Sequence, residues 1–201
     1  MGVSKFLCVL LVLLGVACAP TDLTYKIRSA DGKETTVVPT YFDDRWSDSE
    51  RATLKLAIEE WNTALAGHLV MKVVDETYHV DMKNRDNDPG YMFIKIDSNN
   101  PLVEKEEQFI SLAFTHGRGR GVGGNRIYFI ADRFSNWDLL PIARHEIGHM
   151  LGAPHAEESH EVLMSPRFNI RLYNCVDRDA VLVVAKYRHL SVDGMSWCEK
   201  H

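Results

Sequence analysis

The sequence predicts a single domain of the α+β class, on three observations. The chain has 201 residues, of which 45% are hydrophobic and 25% are charged, which suits one sizeable core and leaves too little for two. Apolar residues recur with a period of two in some segments and at helical spacing in others. A helix comes early, several strands follow, and two helices close the chain, an order typical of α+β domains.

The first half of the chain predicts a strand, a helix and two more strands. Residues 23–29 alternate between apolar and polar side chains, as a strand does. Ser47 stands three residues before Glu50, a capping-box pattern that marks the start of a helix. Strand-like runs follow the helix at 69–76 and 90–97. Apolar residues in the helix keep helical spacing: Leu54, Ile58, Trp61 and Leu65.

The second half predicts two strands and two helices. Residues 104–108 are charged and predict a solvated loop, and residues 110–132 predict a short strand, a glycine-rich turn and a second strand. Asp138 is the expected N-cap of a helix over residues 138–152. The closing helix is expected to begin after Asp177.

The N-terminal residues predict export. Residues 1–17 contain an early Lys5, an apolar run and small residues at the end, the layout of a secretory signal peptide. A buried N-terminal strand or a retained membrane anchor is the alternative. Cys18 ends a "GVAC" stretch that resembles a bacterial lipobox with Gly15 in place of the usual leucine, so lipidation at Cys18 and simple secretion both stay open. Residues 18–201 then form the mature domain.

Charge argues against a nucleic-acid partner. The formal net charge is -5, with acidic and basic residues interspersed along the chain, and this leaves no broad basic surface for a phosphate backbone. The one local basic cluster, at residues 116–121, is short and rich in glycine. A membrane contact is expected only through a lipid on Cys18.

Two cysteines remain for a disulfide. Cys8 would leave with the signal peptide, and Cys18 would be terminal or lipidated. Cys175 and Cys198 are then a pair in an exported protein, where a disulfide is stable. Two free buried thiols are the alternative interpretation.

The stretch "ARHEIGHMLGAPH" predicts a metal site. His145 and His149 are four residues apart, so a helix would present both imidazoles to one point, with Glu146 near a water on a bound ion. Gly152 can end the helix in a left-handed conformation and return His155 to the same ion. Three neutral imidazoles with an open fourth position are typical of catalytic Zn²⁺.

This stretch has two alternative interpretations. A histidine-rich surface helix would need five specified residues to coincide by chance, which makes it a poor competitor. A structural zinc site is the stronger alternative, but such sites are usually closed by a fourth protein ligand, often cysteine. The sequence has no cysteine near residues 145–155, and a structural site would leave Glu146 without a role.

The motif "HEIGHMLGAPH" matches the HExxHxxGxxH signature of the metzincin zinc endopeptidases. Metzincins also carry a methionine turn beneath the metal, and Met164 follows His155 by nine residues. Met164 with Pro166 two residues later resembles the matrixin branch. The resemblance covers most of residues 21–190, with strong motifs only at 145–166.

The resemblance implies a fold and a substrate cleft. It implies a metzincin or zincin-like catalytic domain with a twisted mixed sheet of about five strands, three main helices, and a zinc cleft between upper and lower subdomains. A strand over residues 111–114, including Leu112 and Ala113, would form the upper rim, against which an extended substrate adds as a strand. Pro166 and Phe168 would line the pocket beyond the scissile bond.

Several residues depart from the matrixin pattern. Ala156 follows the third histidine where serine is usual, and one extra residue separates His155 from the methionine. Asn125 stands where the family often has an aspartate for a structural calcium, and no histidine cluster for a second zinc is evident. One catalytic zinc is therefore expected, while a structural calcium is left open.

The implied activity is that of an exported zinc endopeptidase. Glu146 would act as general base on a zinc-activated water, and the substrate would be a protein or peptide outside the cytoplasm. We expect the chain to be a monomer. The alternative is a noncatalytic zinc-containing surface protein that binds a peptide, although such a protein would have no use for Glu146. An accessory protein acting on one partner alone is a third possibility.

Overall fold

The computed structural model describes residues 25–28, 32, 34–74, 90–106, 112–116, 124–157, 162–167 and 174–199. It confirms the predicted α+β class, with one mixed sheet and three main helices. The strands are β1 (Tyr25–Arg28), β2 (Glu34–Phe42), β3 (Leu69–Val73), β4 (Tyr91–Ile96), β5 (Ala113–His116) and β6 (Arg126–Ile130). The helices are α1 (Asp48–Ala64), α2 (Pro101–Glu106), α3 (Leu139–Leu151) and α4 (Arg178–Arg188), with a 3-10 turn at Ala131–Arg133.

The sheet is mixed, with three parallel strand pairs and an antiparallel strand at each end of the strand order. Its strands follow the order β1, β2, β4, β6, β5, and β3 also pairs with β2. The β2–β3, β2–β4 and β4–β6 pairs are parallel, whereas β1 and β5 pair antiparallel with β2 and β6. In this order β5 is a terminal strand, so one of its edges is not paired within the described sheet. β5 lies beside α3, because Thr115 of β5 is hydrogen-bonded to Glu146 of α3.

Strand β2 was not predicted from the sequence. Residues 37–40 are buried, so the strand lacks the alternation that marks a half-buried strand. Pro39 also argues against a central strand because proline has no N–H to donate. Here Pro39 lies at the pairing position opposite Lys72 of β3, and the strand tolerates it.

Helix α1 forms as predicted. Ser47 is its N-cap, and the reciprocal contacts with Glu50 complete the capping box. The start of the helix is tied to the sheet by the Lys95 ammonium, which lies 2.7 Å from the Glu50 carboxylate. The buried face of the helix packs against the main core through Leu54, Ala57, Ile58, Trp61 and Ala64.

The two faces of the sheet have separate cores. Tyr91 and Phe93 of β4 belong to the large core that the main helices cover. Met92 and Ile94 point into a smaller core, which Val103 of α2 helps to close. The loop predicted over 104–108 is therefore wrong for residues 104–106, which continue a helix whose preceding turn is fixed by burial of Val103.

The C-terminal part closes the domain. Helix α4 begins after Asp177, as expected, because the Asp177 carboxylate accepts a hydrogen bond of 3.0 Å from the Ala180 N–H. A disulfide joins Cys175 to Cys198, as predicted, with Cα atoms 6.2 Å apart. No helix in the described ranges is long and apolar enough to cross a membrane. The predicted signal peptide and Cys18 lie outside the described residues.

Candidate metal centre

Helix α3 carries the first two histidines through the interior of the domain. Its described side chains are buried except for that of Leu140. The buried Arg144 guanidinium is paired with Glu60 of α1 at 2.7 Å, and the Trp61 indole donates to the Arg144 carbonyl oxygen at 2.9 Å. These contacts fix the rotation of α3 about its axis, and this determines where His145 and His149 point.

Asp138 stands at the predicted start of α3 but does not cap it. Its carboxylate makes no capping hydrogen bond to the helix. Instead it accepts hydrogen bonds from the Ser135 N–H at 3.0 Å and the Ser135 hydroxyl at 2.7 Å. The predicted helix boundary is confirmed, while the predicted side-chain cap is wrong because the preceding turn uses the same carboxylate.

Gly152 ends α3 and turns the chain. Its φ of 112° lies in the left-handed region, as predicted for this position. A Cβ atom at Gly152 would lie 1.9 Å from Cδ1 of Tyr187, so any other residue meets both backbone strain and a steric clash. The Ala153 N–H donates to the Gly148 carbonyl oxygen at 2.8 Å. This turn brings His155 back toward the helix.

The three predicted histidines converge. The Nε2 atom of His149 lies 3.0 Å from Nε2 of His145 and 3.0 Å from Nε2 of His155. Two of the rings are held on the side away from the cluster. Nδ1 of His145 and Nδ1 of His149 each lie 2.7 Å from a backbone carbonyl oxygen. The carbonyls are those of Leu163 and Ala153.

This arrangement fits a bound cation. A carbonyl oxygen can only accept, so Nδ1 carries the proton in both rings and Nε2 of each neutral ring presents a lone pair. The facing Nε2 atoms of His145 and His149 therefore cannot hydrogen-bond to each other, and a positive ion between them would satisfy both. Backbone carbonyls behind ligating imidazoles are a regular feature of zinc sites.

Burial keeps these imidazoles neutral. Desolvation, together with the neighbouring His149, lowers the pKa of His145 to about 3. The same two causes lower the pKa of the less buried His155 to about 4, and desolvation also lowers the pKa of His149. Neutral imidazole is the form that binds a metal. In the described residues no cysteine or carboxylate joins the cluster, so the donor set fits Zn²⁺ with a position left open.

Glu146 follows His145 on α3, and its side chain is buried. It is 6% exposed, and burial raises the pKa of its carboxyl group to about 7. The Thr115 hydroxyl, on β5, donates to Oε2 of Glu146 at 3.0 Å and partly opposes that shift. A carboxyl group with a pKa near neutrality can both accept and release a proton. Thr115 was not predicted, although strand alternation places it on the same face as Ala113.

Met164 packs against α3. It is buried, and a Cβ atom at Gly148 would lie 2.4 Å from its sulfur, so the helix and the methionine pack closely. The Ala156 N–H donates to the Met164 carbonyl oxygen at 2.8 Å. This bond joins the segment carrying His155 to the methionine turn.

The predicted rim and pocket residues are partly described. Ala113 is buried at the start of the edge strand, and the Leu112 carbonyl oxygen accepts from the Ile130 N–H at 2.9 Å. Pro166 is exposed after the methionine turn. Phe168 lies outside the described residues. Asn125, which stands where matrixins often have a calcium-binding aspartate, accepts at its main-chain carbonyl oxygen a hydrogen bond of 2.8 Å from the Met92 N–H.

Comparisons with known proteins give remote structural similarities. No family model and no curated protein match the chain. Myroilysin is one similar solved structure, with 14% identity and a TM-score of 0.37 over 68% of this chain and 54% of that one. Another is high choriolytic enzyme 1, a hatching enzyme zinc-protease from the medaka fish Oryzias latipes, with 16% identity and a TM-score of 0.32 over 67% and 52%. The chain spans about half the length of each.

Proposed function

We propose that the chain is a zinc-dependent endopeptidase of the metzincin type. The observation that carries this proposal is the convergence of the Nε2 atoms of His145, His149 and His155 beside the buried carboxyl group of Glu146. A site built only to hold zinc would need no such carboxyl group. The matrixin branch is the more specific proposal, supported by the sequence from Met164 to Pro166.

In peptide hydrolysis zinc would supply Lewis-acid chemistry, and Glu146 would transfer protons. Zinc held by the three histidines would lower the pKa of a water molecule and polarise a substrate carbonyl. Glu146 would take the proton from that water and later deliver it to the leaving amine.

The edge strand supports a peptide substrate. β5 ends the sheet and lies beside Glu146 through Thr115. An extended peptide can add to such an edge by backbone hydrogen bonds, which brings its peptide bonds past the histidine cluster. Leu112 and Ala113 would form the rim, while Pro166 and Phe168 would line the pocket for the residue beyond the cleaved bond.

The decisive experiment uses the full chain expressed in a secreting host, with the mature protein purified from the medium. A peptide library is digested and read by mass spectrometry, with a chelator and with zinc added back. We expect cleavage that the chelator abolishes and zinc restores. Glu146→Gln should keep one zinc per chain and cleave at least about a hundredfold more slowly. Zinc binding without cleavage by the wild type would reject the endopeptidase and favour the peptide-binding alternative.

Export is proposed on the N-terminal sequence and is compatible with the disulfide. The Cys175–Cys198 bond suits an oxidising compartment. We propose that residues 1–17 are removed and that Cys18 becomes the first residue, with or without lipid. The mass of the N-terminal peptide distinguishes cleavage with lipid, cleavage without lipid and retention. Size-exclusion chromatography of the same preparation tests the expected monomer.

A further inference from the structure

We propose that Thr115 positions the carboxylate of Glu146, holding Oε2 so that Oε1 is the oxygen left to exchange a proton with water. This inference rests on the proposed endopeptidase function. It assigns to β5 a role in placing the general base, in addition to the proposed role of its backbone in binding substrate. Thr115 does not touch the reacting atoms in this account, so it is a positioning residue.

The contacts of the Thr115 hydroxyl are specific to one residue. It lies 3.0 Å from Oε2 of Glu146 and 3.2 Å from the carbonyl oxygen of Glu146. Among the described residues, Thr115 is the only hydrogen-bond partner of the carboxylate. A threonine hydroxyl has one proton to donate. Both acceptors within reach belong to Glu146, so the hydroxyl faces that residue of α3 whichever of them takes the proton.

A buried carboxylate needs such a partner to hold one orientation. The last torsion of a glutamate side chain has broad, roughly two-fold preferences, so an unbonded carboxylate would rotate. A hydrogen bond to an ionised group is stronger than one between neutral groups. β5 supplies this bond, and its backbone is held in place by pairing with β6 along its length. Rate depends steeply on placing a catalytic group correctly.

A purely structural role predicts a different behaviour. The bond to the Glu146 carbonyl oxygen alone would join β5 to α3 and support folding and substrate binding. Its loss would then destabilise the fold or raise KM, whereas loss of a positioning contact lowers kcat while zinc and substrate still bind. The kcat and KM values of matched variants therefore separate the two roles.

The test compares Thr115→Val, which keeps the shape and removes the hydroxyl, with Thr115→Ser, which keeps the hydroxyl. In the full mature protein we expect Thr115→Val to lower kcat by about 10- to 100-fold, with KM within about twofold and one zinc per chain. Thr115→Ser should retain kcat within about threefold of the wild type. Thr115→Ala provides the same comparison if Thr115→Val does not fold.

A double variant tests whether Thr115 acts through Glu146. Thr115→Val combined with Glu146→Gln should be no slower than Glu146→Gln alone, because the positioned group is already absent. An unchanged kcat in Thr115→Val, a rise in KM alone, or equal effects of Thr115→Val and Thr115→Ser would overturn the inference. An inactive, zinc-loaded wild type would instead reject the proposed function on which the inference rests.

Discussion

The two histidines on α3 and the histidine after it are held in different ways. His145 and His149 are buried, and each has its Nδ1 atom bonded to a carbonyl oxygen at 2.7 Å. His155 lies at the exposed side of the cluster, and in the part of the chain that is described its Nδ1 atom has no hydrogen bond. The helix therefore holds two ligands in place, while the third depends on the turn at Gly152.

This difference has an energetic meaning. A side chain that is already fixed loses little conformational freedom when a metal binds, whereas an exposed one must be ordered at that moment. Hydrogen-bonded partners behind a ligand also fix its tautomer and contribute to metal affinity. We therefore expect the helix histidines to contribute more to zinc affinity than the loop histidine, and the following predictions test that ranking.

The largest effect is expected from removing the helix ligand at the centre of the cluster. Zinc binding of about 10–16 kcal/mol over four ligands corresponds to roughly 3 kcal/mol for each, or about a hundredfold. We expect His149→Ala to exceed that loss, and to weaken zinc at least about tenfold more than His155→Ala does. Competition with a chelating dye measures both constants.

The control for this pair is His68→Ala. His68 lies outside the cluster, where its Nε2 atom contacts the Asp193 carbonyl oxygen at 3.0 Å. Zinc affinity should be unchanged in that variant. The proposed ranking is wrong if His155→Ala weakens zinc as much as His149→Ala.

A smaller effect is expected from Gly152→Ala. Left-handed backbone costs a residue with a Cβ atom about 1–2 kcal/mol, and overpacking against the Tyr187 ring adds about 1–3 kcal/mol. Unfolding in denaturant should show a loss of roughly 2–5 kcal/mol. Zinc affinity should fall as well, because the turn carries His155.

The same substitution in a Tyr187→Ala background separates the two causes. Removing the ring eliminates the clash 1.9 Å from the added Cβ atom and leaves the backbone strain. We expect about half of the destabilisation to remain, on the order of 1–2 kcal/mol. If Gly152→Ala were as stable as the wild type and bound zinc equally well, the turn would not constrain the third ligand.

The features that could be predicted from the sequence are those set by residues close together in the chain. The capping box and apolar spacing of α1, the four-residue interval between His145 and His149, and the stop at Gly152 are each contained within a few turns of chain. Their geometry follows from the helix itself. The convergence of the histidines could therefore be anticipated without knowing how the sheet is ordered.

What was missed depends on contacts between distant segments. β2 has no alternating pattern because both of its faces are covered, and α2 forms where Val103 meets the second core. The contact between Thr115 and Glu146 depends on how the edge strand lies against α3, across 31 residues of sequence. Spacing along the chain carries no information on such packing, although strand alternation would have brought Thr115 into consideration with Ala113.

The smallest effect is expected from Asp177→Asn, which alters the backbone segment that orients the His145 ring. The Asp177 carboxylate accepts a hydrogen bond of 2.6 Å from the Leu163 N–H, and the Leu163 carbonyl oxygen in turn holds Nδ1 of His145. Asp177→Asn keeps the shape, but its NH₂ group cannot accept, so one of the two bonds to Leu163 and Ala180 is lost. We expect a loss of about 1–2 kcal/mol in unfolding free energy and a decrease in zinc affinity of less than about tenfold.

Asp179→Asn is the matched control for that prediction. Asp179 is exposed in the same first turn of α4, so it removes the same charge from the same helix end without touching Leu163. Its zinc affinity should equal that of the wild type. If both variants bind zinc as the wild type does, the carbonyl behind His145 does not depend on Asp177. The other hydrogen bonds of the methionine turn, from the Ala156 N–H to the Met164 carbonyl oxygen and from the Ser165 N–H to the Val162 carbonyl oxygen, then suffice to keep the Leu163 carbonyl oxygen against Nδ1 of His145.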